Sequence, residues 1–439
     1  MTAEQVFASA VFLVVFLILI WGKIHRAWVA LAGALIISVV VLRSLSNVWN
    51  AVNWQTIIFI FGMMVMVEGM ARSGFFRWLC LRVAKMMGYD IPRLFIAFML
   101  VSGFLSMFID SITVLLFLAA IIIELARLLK FNPVPLIIAA IFAANTGGSA
   151  TMSGDPPNII IGTSFGLSFF DFLMNTGLIA WVGMLAALMF FYFVFRKILK
   201  PEGGIAVDTS NLPQPLDAIT DRRLFRLSIF VFLVVILLLV THHISHIHVA
   251  TIGWIAAGLT MLAVLWVKLT TAKSNLGLAF KGDWDVLKGV DWKTLLFFFG
   301  LFITVGGLEE AGVMDMVAGF IGQSASGSLV IAISMILWIS AFASAIVDNI
   351  PFSMAMVPVV RALSLDQGWS IQSLSWPLAL GTDIGGNGTP IGASANVVGL
   401  AIAEREGHRV SWGYYCKYAL PAMIIVVGIC NILLIVRYA

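Results

Sequence analysis

Long apolar runs recur along the whole chain, and they limit its fold more than any other feature. Predominantly apolar runs of 16 or more residues occupy, for example, 6–21, 27–42, 226–241 and 418–436. A helix needs about 20 such residues to cross a bilayer. Charged residues make up only 11% of the chain, whereas soluble domains carry about 25%. The sequence therefore predicts an all-α polytopic membrane protein.

Charge and cysteine content exclude several functional classes. The formal net charge is +4, but Lys and Arg lie in short loops between the apolar runs, so no nucleic-acid partner is expected. Cys80, Cys416 and Cys430 are scattered and odd in number, so neither a disulfide framework nor a cysteine metal site follows. The first apolar run lacks a basic leader and a small-residue cleavage site, and we interpret it as a retained helix.

The two halves of the chain repeat each other. VNWQTIIFIFG begins at Val52 and VDWKTLLFFFG begins at Val290, 238 residues later. The same shift superimposes Asp110 on Asp348, and NTGGSATMSGDPPN (145–158) on DIGGNGTPIGASAN (383–396). One register without gaps over about a hundred residues indicates two homologous halves.

Loop charges indicate that the second half is inverted in the membrane. The loop 72–93 carries five Lys or Arg residues, whereas its counterpart 310–331 carries none. Because cytoplasmic loops are enriched in Lys and Arg, the first loop is predicted to be cytoplasmic and the second external. Inverted repeats are typical of secondary transporters; two parallel halves with an accidental charge bias are the alternative. Both termini are then external, in a membrane that we expect to be a prokaryotic inner membrane.

The predicted organisation has three parts: a first transmembrane repeat over 1–199, a cytoplasmic linker over 200–224 and a second, inverted repeat over 225–439. Each repeat holds about five transmembrane helices and one re-entrant hairpin. The spans are predicted near 6–21, 27–45, 54–71, 134–168 and 175–197, and near 225–241, 247–268, 292–309, 371–402 and 417–437.

The re-entrant hairpins are predicted at 93–127 and 331–364. Each segment is too long for one span, yet each must return to its starting side to fit the loop charges. The tips are FIDSIT (108–113) and IVDNIP (346–351).

The segments 145–158 and 383–396 place glycines, prolines and polar residues inside apolar surroundings. Irregular backbone at membrane depth is tolerated only where it is buried in protein or lines a wet cavity. A helix broken there presents carbonyl ends that coordinate cations and N–H ends that hold anions. Both segments are therefore predicted to break a helix at the membrane midplane and to form an ion or substrate site, which the hairpin tips close.

Four aspartates carry the predicted chemistry, because an ionised Asp at the centre of a membrane helix costs about 2.5–3.5 kcal/mol. Asp110, Asp155 and Asp348 could instead N-cap the helices that follow them. Asp383 aligns with Asn145, so this position titrates in one half only. The predicted ion- and substrate-binding residues are Asp110, Ser111, Asn145, Thr146, Gly147, Gly148, Ser149, Thr151, Asp155, Asn158, Asp348, Asn349, Asp383, Gly385, Gly386, Asn387, Thr389, Ser394 and Asn396.

The neutral side chains of this set suit Na⁺ coordination, or hydrogen bonds to an oxyanion or a neutral hydroxide; helix–helix hydrogen bonding is the alternative. No cofactor is expected apart from Na⁺ or H⁺ as the coupling ion, and no catalytic residue. His242, His243, His246 and His248 are an alternative metal site, but no carboxylate or cysteine lies near them in the sequence.

At these residues the chain resembles the ion transporter superfamily, in the citrate transporter-like branch of arsenite/antimonite permeases and P-protein permeases. The resemblance implies a homodimer, with a mobile transport domain that moves as an elevator against a scaffold domain, and coupling to Na⁺ or H⁺. Related dicarboxylate symporters carry Ser-Asn-Thr motifs at the tips; the acids found here favour proton-linked coupling. The similar stretches are NTGGSATMSGDPPNIIIG (145–162), GTDIGGNGTPIGASANVVG (381–399), FIDSIT, VDNIP (347–351) and VSWGYY (410–415).

The leading functional prediction is a secondary transporter of the arsenite-permease type, which exports a small anion or a metalloid hydroxide against H⁺ or Na⁺. A Na⁺/H⁺ antiporter without an anion substrate is the alternative; a channel or a membrane-embedded enzyme fits less well. The sequence has no ATP-binding motif, so any ATPase subunit would be a separate chain. Both tip aspartates, Asp110 and Asp348, are expected to be needed for transport.

The predicted topology can be tested with single cysteines in 72–93, 201–223 and 310–331, after the three native cysteines are replaced. We expect a membrane-impermeant thiol reagent to label only 310–331 from outside, because basic residues retain the other two segments in the cytoplasm. External labelling of 72–93 would contradict the inverted repeat.

Overall fold

The computed structural model describes residues 1–200, 213–271 and 285–439, and every regular element in these ranges is helical. Part of the predicted linker, 201–212, lies outside the described residues. The helices of the first half are Ala3–Trp21, Arg26–Leu42, Leu45–Ala51, Trp54–Ser73, Phe75–Met86, Ile91–Ser106, Ser111–Leu129, Val134–Gly148, Pro156–Phe165 and Phe169–Phe195. Those of the second half are Arg222–Ser245, Val249–Thr271, Trp292–Glu310, Val313–Ala325, Leu329–Ile346, Asn349–Gln367, Ile371–Gly385, Ser394–Arg405 and Trp412–Tyr438.

The helices have the length and composition of a membrane protein. Nine helices in the described part of the chain are long and apolar enough to cross a bilayer, and three shorter ones are also apolar. The prediction of an all-α polytopic membrane protein is confirmed. The predicted spans 134–168 and 371–402 are each two helices separated by irregular backbone, and the helix predicted from 175 already begins at Phe169.

The repeat is visible in the positions of the helices. Helices begin at 54, 75, 91, 111 and 156 in the first half, and at 292, 313, 329, 349 and 394 in the second, always 238 residues later. Even a capping contact recurs, since Asn53 accepts a hydrogen bond from the Thr56 N–H and Asp291 accepts one from the Thr294 N–H. The inversion of the halves in the membrane stays a prediction.

One group of helices interleaves the two halves. Trp54–Ser73 packs along Val249–Thr271 of the second half, and its counterpart Trp292–Glu310 packs along Arg26–Leu42 of the first. The backbones approach closely, because a Cβ atom built at Gly62 would lie 2.0 Å from the carbonyl oxygen of Gly253. We name this group, which also contains Ala3–Trp21 and Arg222–Ser245, the frame.

A second group holds the breaks and the hairpins, and we name it the core unit. The first hairpin is Ile91–Ser106 with Ser111–Leu129, and the second is Leu329–Ile346 with Asn349–Gln367. The helix after each break packs on the hairpin of the other half: Ser394–Arg405 on Ser111–Leu129, and Pro156–Phe165 on Asn349–Gln367. This exchange brings both breaks and both tips together.

A methyl group at Gly62 tests the interleaved packing of the frame. We expect Gly62→Ala to lower the thermal unfolding midpoint of the detergent-purified protein, because overpacking costs about 1–3 kcal/mol. The matched control is Gly258→Ala on the facing helix, where a Cβ meets nothing within 4 Å; it should be neutral or stabilising. Equal midpoints for the two variants would contradict this packing.

Candidate ion and substrate site

Each break in a membrane helix is braced by one asparagine. The Asn158 amide donates to the carbonyls of Gly148 and Thr151, at 3.1 and 3.0 Å. Asn396 does the same in the second half, to Gly386 at 2.7 Å and Thr389 at 2.8 Å. These bonds satisfy carbonyls that a broken helix leaves without partners. They also fix the orientation of each amide, because both N–H groups are used on the backbone.

Each break also holds the hairpin tip of its own half. The Thr151 hydroxyl donates to the Met107 carbonyl, and the Thr389 hydroxyl donates to the Ala345 carbonyl. Gly147 permits the approach of the hairpin, since a Cβ there would lie 2.2 Å from the Gly103 carbonyl oxygen. The hydroxyl protons of both threonines therefore hold the hairpin tips, and the role of their oxygens as ligands stays a prediction.

The other predicted glycines and one serine also shape the breaks. Gly385 faces the backbone of Ala341, as Gly147 faces Gly103. Gly148 and Gly386 lie against residues 154 and 392 across their own breaks. The Ser149 hydroxyl donates to the Thr146 carbonyl at 2.7 Å.

Asp155 joins the two hairpin tips. Its Oδ1 accepts a hydrogen bond from the Ser111 hydroxyl at 2.5 Å, and its Oδ2 accepts one from the Asn349 amide at 2.7 Å. Ser111 belongs to the first hairpin and Asn349 to the second. Asp155 stands at the N-cap position of Pro156–Phe165 but makes no capping bond. This carboxylate, which is 2% exposed, is therefore a link between the halves and not a cap.

Asn145 and Asp383 occupy equivalent places in the two halves but have different partners. The Asn145 amide donates to Asn387 at 3.0 Å and to Asn396 at 2.8 Å. Asp383 faces the side chains of Asp155 and Asn158, and neither of its oxygens has a hydrogen-bond partner among the described residues. Both Asn145 and Asp383 are completely buried.

Several buried polar atoms of the two breaks have no hydrogen-bond partner in the described part of the chain. Such an atom costs about 1–3 kcal/mol, so a group of them is a candidate place for a ligand or a proton to bind. Oxygens predominate in the group, which suits a hard cation, a proton or the hydroxyl groups of a solute. The atoms are Asn145 Oδ1, Thr146 Oγ1, Asn158 Oδ1, both Oδ atoms of Asp383, and Asn387 Nδ2.

The tip aspartates both cap helices, as in the alternative left open by the sequence. Asp110 accepts from the N–H of Thr113 at 3.0 Å and from its hydroxyl at 2.7 Å. Asp348 accepts from the Ile350 N–H at 3.4 Å, and from the Ser394 hydroxyl at 2.7 Å. The two tips therefore differ, because Asp348 also reaches the opposite side of the second break.

Arg26 is a site residue that sequence reasoning missed. Its guanidinium donates to the Ser394 hydroxyl at 2.6 Å and to the Thr294 hydroxyl at 2.8 Å, and lies 3.6 Å from Asp348. Arg26, Asp348 and Ser394 line a cavity of about 470 Å³, together with Asp291. The only sequence signal was a basic residue at the start of an apolar run, which the loop-charge rule already explains.

A second cavity, of about 300 Å³, lies at the other end of the helix Trp292–Glu310. Its lining includes Thr163, Glu309 and Arg361. Arg361 donates to Glu309 at 3.2 Å, and the Asn53 amide donates to the Thr163 hydroxyl at 2.9 Å. The first cavity is lined by Asp291, at the beginning of this helix, and by Phe297, and the second by Phe302 and Glu309. The cavities therefore lie along opposite halves of the helix, and their lining residues Asp291 and Glu309 are roughly 27 Å apart at 1.5 Å per residue.

The four histidines that the sequence offers as an alternative metal site lie apart from this site. His242, His243, His246 and His248 line another cavity with Met152 and Ser168, and its lining includes none of the four aspartates. No group of three or more His, Cys, Asp or Glu side chains that could hold a metal ion is present in the described residues.

Together, the membrane helices, the two breaks and the buried polar site define a polytopic membrane transporter. A family model described as citrate transporter matches residues 16–381, and the chain belongs to this family. It is 32% identical to an uncharacterized transporter of Mycobacterium tuberculosis over 99% of both chains. The human P protein is 27% identical over 97% of this chain and 59% of its own length.

A solved structure shares the fold. The YdaH transporter of Alcanivorax borkumensis, described as having an unusual topology, matches with a TM-score of 0.57 and 14% identity. The match covers 89% of this chain and 86% of that chain. The family model, the similarity to the P protein and this shared fold together confirm the resemblance drawn from the two broken segments.

The different surroundings of the tip aspartates predict unequal effects of the same substitution. We expect Asp348→Asn to lower transport roughly tenfold or more, because hydrogen bonds to charged groups contribute about 1.5–3 kcal/mol. Asp110→Asn should cause a smaller loss, because Asn caps a helix as well as Asp does. Flux into proteoliposomes, normalised to folded protein, measures both. Equal losses would restore the symmetric role expected from the sequence.

Proposed function

We propose that the protein is an ion-coupled secondary active transporter that exports an inorganic or small anion, or a neutral metalloid hydroxide, against H⁺ or Na⁺. The observation that carries this proposal is the group of unpaired, fully buried polar atoms at the two breaks. Acceptors such as Asn158 Oδ1 and a donor such as Asn387 Nδ2 are both present, which suits a solute with several oxygens and hydroxyls.

The two cavities support alternating access. One reaches Asp348 and Ser394 at the second break, and the other lies at the opposite end of the frame helix Trp292–Glu310. The Ser111 and Asn349 side chains meet on Asp155, and none of these three residues lines either cavity. By the loop-charge topology, the cavity with Arg26 faces the cytoplasm, so this conformation would receive solute from inside the cell.

The contacts between frame and core unit suit an elevator movement. Few of the side-chain hydrogen bonds among the described residues join the two groups, and they lie near the cavities: Arg26 to Ser394 at one end, and Asn53 to Thr163 at the other. A sliding core unit would exchange these polar contacts, whereas the interleaved frame would stay fixed and form the homodimer interface implied by the superfamily.

Arg26 separates the two candidate functions. The Asp155–Asp383 contact would serve a Na⁺/H⁺ antiporter equally well. A guanidinium in the cavity that leads to the second break favours an anion or a polar solute, and would repel Na⁺. We therefore rank anion or hydroxide export above cation exchange.

Flux measurements on Arg26 variants test this ranking. Proteoliposomes would be assayed with arsenite, antimonite, phosphate and citrate under separate Na⁺ and H⁺ gradients. We expect one solute to be transported, and Arg26→Ala to lower its flux roughly tenfold or more, since a charged hydrogen bond contributes about 1.5–3 kcal/mol. Arg26→Lys should retain part of the flux.

The matched control is Arg93→Ala, because Arg93 is 73% exposed and contacts only Asp90 among the ion pairs of the described residues. It should transport normally. The antiporter would be supported, and the anion proposal contradicted, if the protein exchanged Na⁺ for H⁺ but transported none of these solutes, and if Arg26→Ala did not change this exchange.

A further inference from the structure

The pairing of the two breaks assigns a bound proton to one residue. Asn158 and Asn396 each use both amide protons on backbone carbonyls, so the side-chain oxygen of each can only accept a hydrogen bond from another group. In one pair, Asn396 Oδ1 receives the amide of Asn145 at 2.8 Å. In the equivalent pair, Asn158 Oδ1 has no partner among the described residues, and Asp383 occupies the place that corresponds to Asn145. A carboxylate cannot donate; a carboxylic acid can.

The contact with Asp155 also favours a protonated Asp383. Its two oxygens already accept from Ser111 and Asn349, an arrangement that stabilises an ionised carboxylate. The Asp383 carboxyl group faces this carboxylate and is completely buried. Two adjacent carboxyl groups in a dry site cannot both be ionised, and they hold one proton between them.

We propose that Asp383 carries this proton as a neutral acid, hydrogen-bonded to Asn158 or Asp155, and that it is the proton exchanged in the transport cycle. The proposal rests on the proposed transport function and deepens it. In the exchange step the O–H bond of Asp383 breaks, its electron pair stays on the carboxylate, and the proton passes to water in the open cavity. Release requires the tip donors on Asp155 to move, since they seal the pair from both halves.

Other ionisable groups around the pair are few. Of the helices packed on Ile371–Gly385, the segments 134–148, 156–165 and 329–346 contain no ionisable side chain. Asn349–Gln367 begins after Asp348, which faces Arg26, and carries Arg361 and Asp366 toward its end. Trp412–Tyr438 contributes Tyr415, whose buried hydroxyl has no partner among the described residues. The carboxyl groups of Asp110 and Asp348, at the hairpin tips, are close enough to Asp155 to interact with it electrostatically.

Asp383→Asn is the central variant, and the protein itself shows that it should fold. Asn145 already occupies the equivalent place and donates its amide to Asn396; an amide at 383 can donate to Asn158 in the same way. The matched control is Asp285→Asn, at a residue whose side chain is 44% exposed. The hydrogen bond from Lys288 lowers the pKa of the Asp285 carboxyl, so this residue adds no neutral acid.

Infrared spectroscopy of the purified protein detects the proton without any transport assay. We expect the carbonyl stretching band of a buried carboxylic acid at neutral pH in the wild-type protein and in Asp285→Asn, and its loss in Asp383→Asn. Persistence of the same band in Asp383→Asn would overturn the proposal. So would a wild-type protein without the band whose thermal stability rises with Na⁺, since a cation would then bridge the oxygens.

Transport gives the second readout. In proteoliposomes, Asp383→Asn should lose solute accumulation driven by a pH gradient, at least tenfold relative to Asp285→Asn. Retained pH-driven accumulation would overturn the proposal. If the wild-type protein transported no solute and still showed the band, the proposed transport function would be contradicted, whereas the protonation of Asp383 would be supported.

Moving the acid to the other half tests whether the pair is required. The position equivalent to Asp155 in the second half is Ala393, which has no carboxylate. The double variant Asn145→Asp with Asp383→Asn should therefore not recover pH-driven accumulation. Full recovery would show that a single acid in either half suffices, and would overturn the shared-proton arrangement.

Discussion

The rest of the structure depends on how two membrane helices are broken without unsatisfied carbonyls at the gap. At each break one asparagine, Asn158 or Asn396, donates both amide protons to carbonyls on either side of the irregular segment. The bilayer offers no water as a replacement, so the break needs these bonds. Since the amide protons are used on the backbone, the side-chain oxygen of each asparagine is left as an acceptor, and that of Asn396 accepts from Asn145 on the opposite broken helix. The brace therefore creates the acceptors from which the site is built.

The two halves share this backbone arrangement and differ in the side chains set on it. Asn145 meets its acceptors as an amide, whereas Asp383 meets the same kind of acceptor as a carboxyl group. Asp155 likewise has Ala393 as its counterpart. A symmetric scaffold is sufficient for access from two sides, but a coupling ion needs only one place. The differences between the halves therefore place both carboxyl groups, Asp155 of the first break and Asp383 of the second, at one contact between the breaks.

Local patterns predicted the breaks and tips, but they could not predict the contacts between them. Adjacent glycines and prolines interrupt a helix even in apolar surroundings, and the 238-residue repeat located both segments. Whether a tip aspartate caps or binds is decided by neighbours such as Ser394, which meets Asp348 only in the folded chain. Arg26 escaped notice because its partner Ser394 is 368 residues away, and its charge fitted the loop-charge rule. The sequence also could not show that Thr151 and Thr389 hold the tips.

The contacts of Asp155 explain why this arrangement suits a transporter better than a pore. Its two hydrogen bonds come from different hairpins, Ser111 in the first and Asn349 in the second. In the proposed cycle, opening the site to one side would break one bond and leave the other. A continuous pore requires both to break, and the second adds about 1.5–3 kcal/mol. The doubly open state would then be roughly ten- to a hundredfold rarer than either singly open state, so in the proposed cycle the shared carboxylate itself opposes leakage.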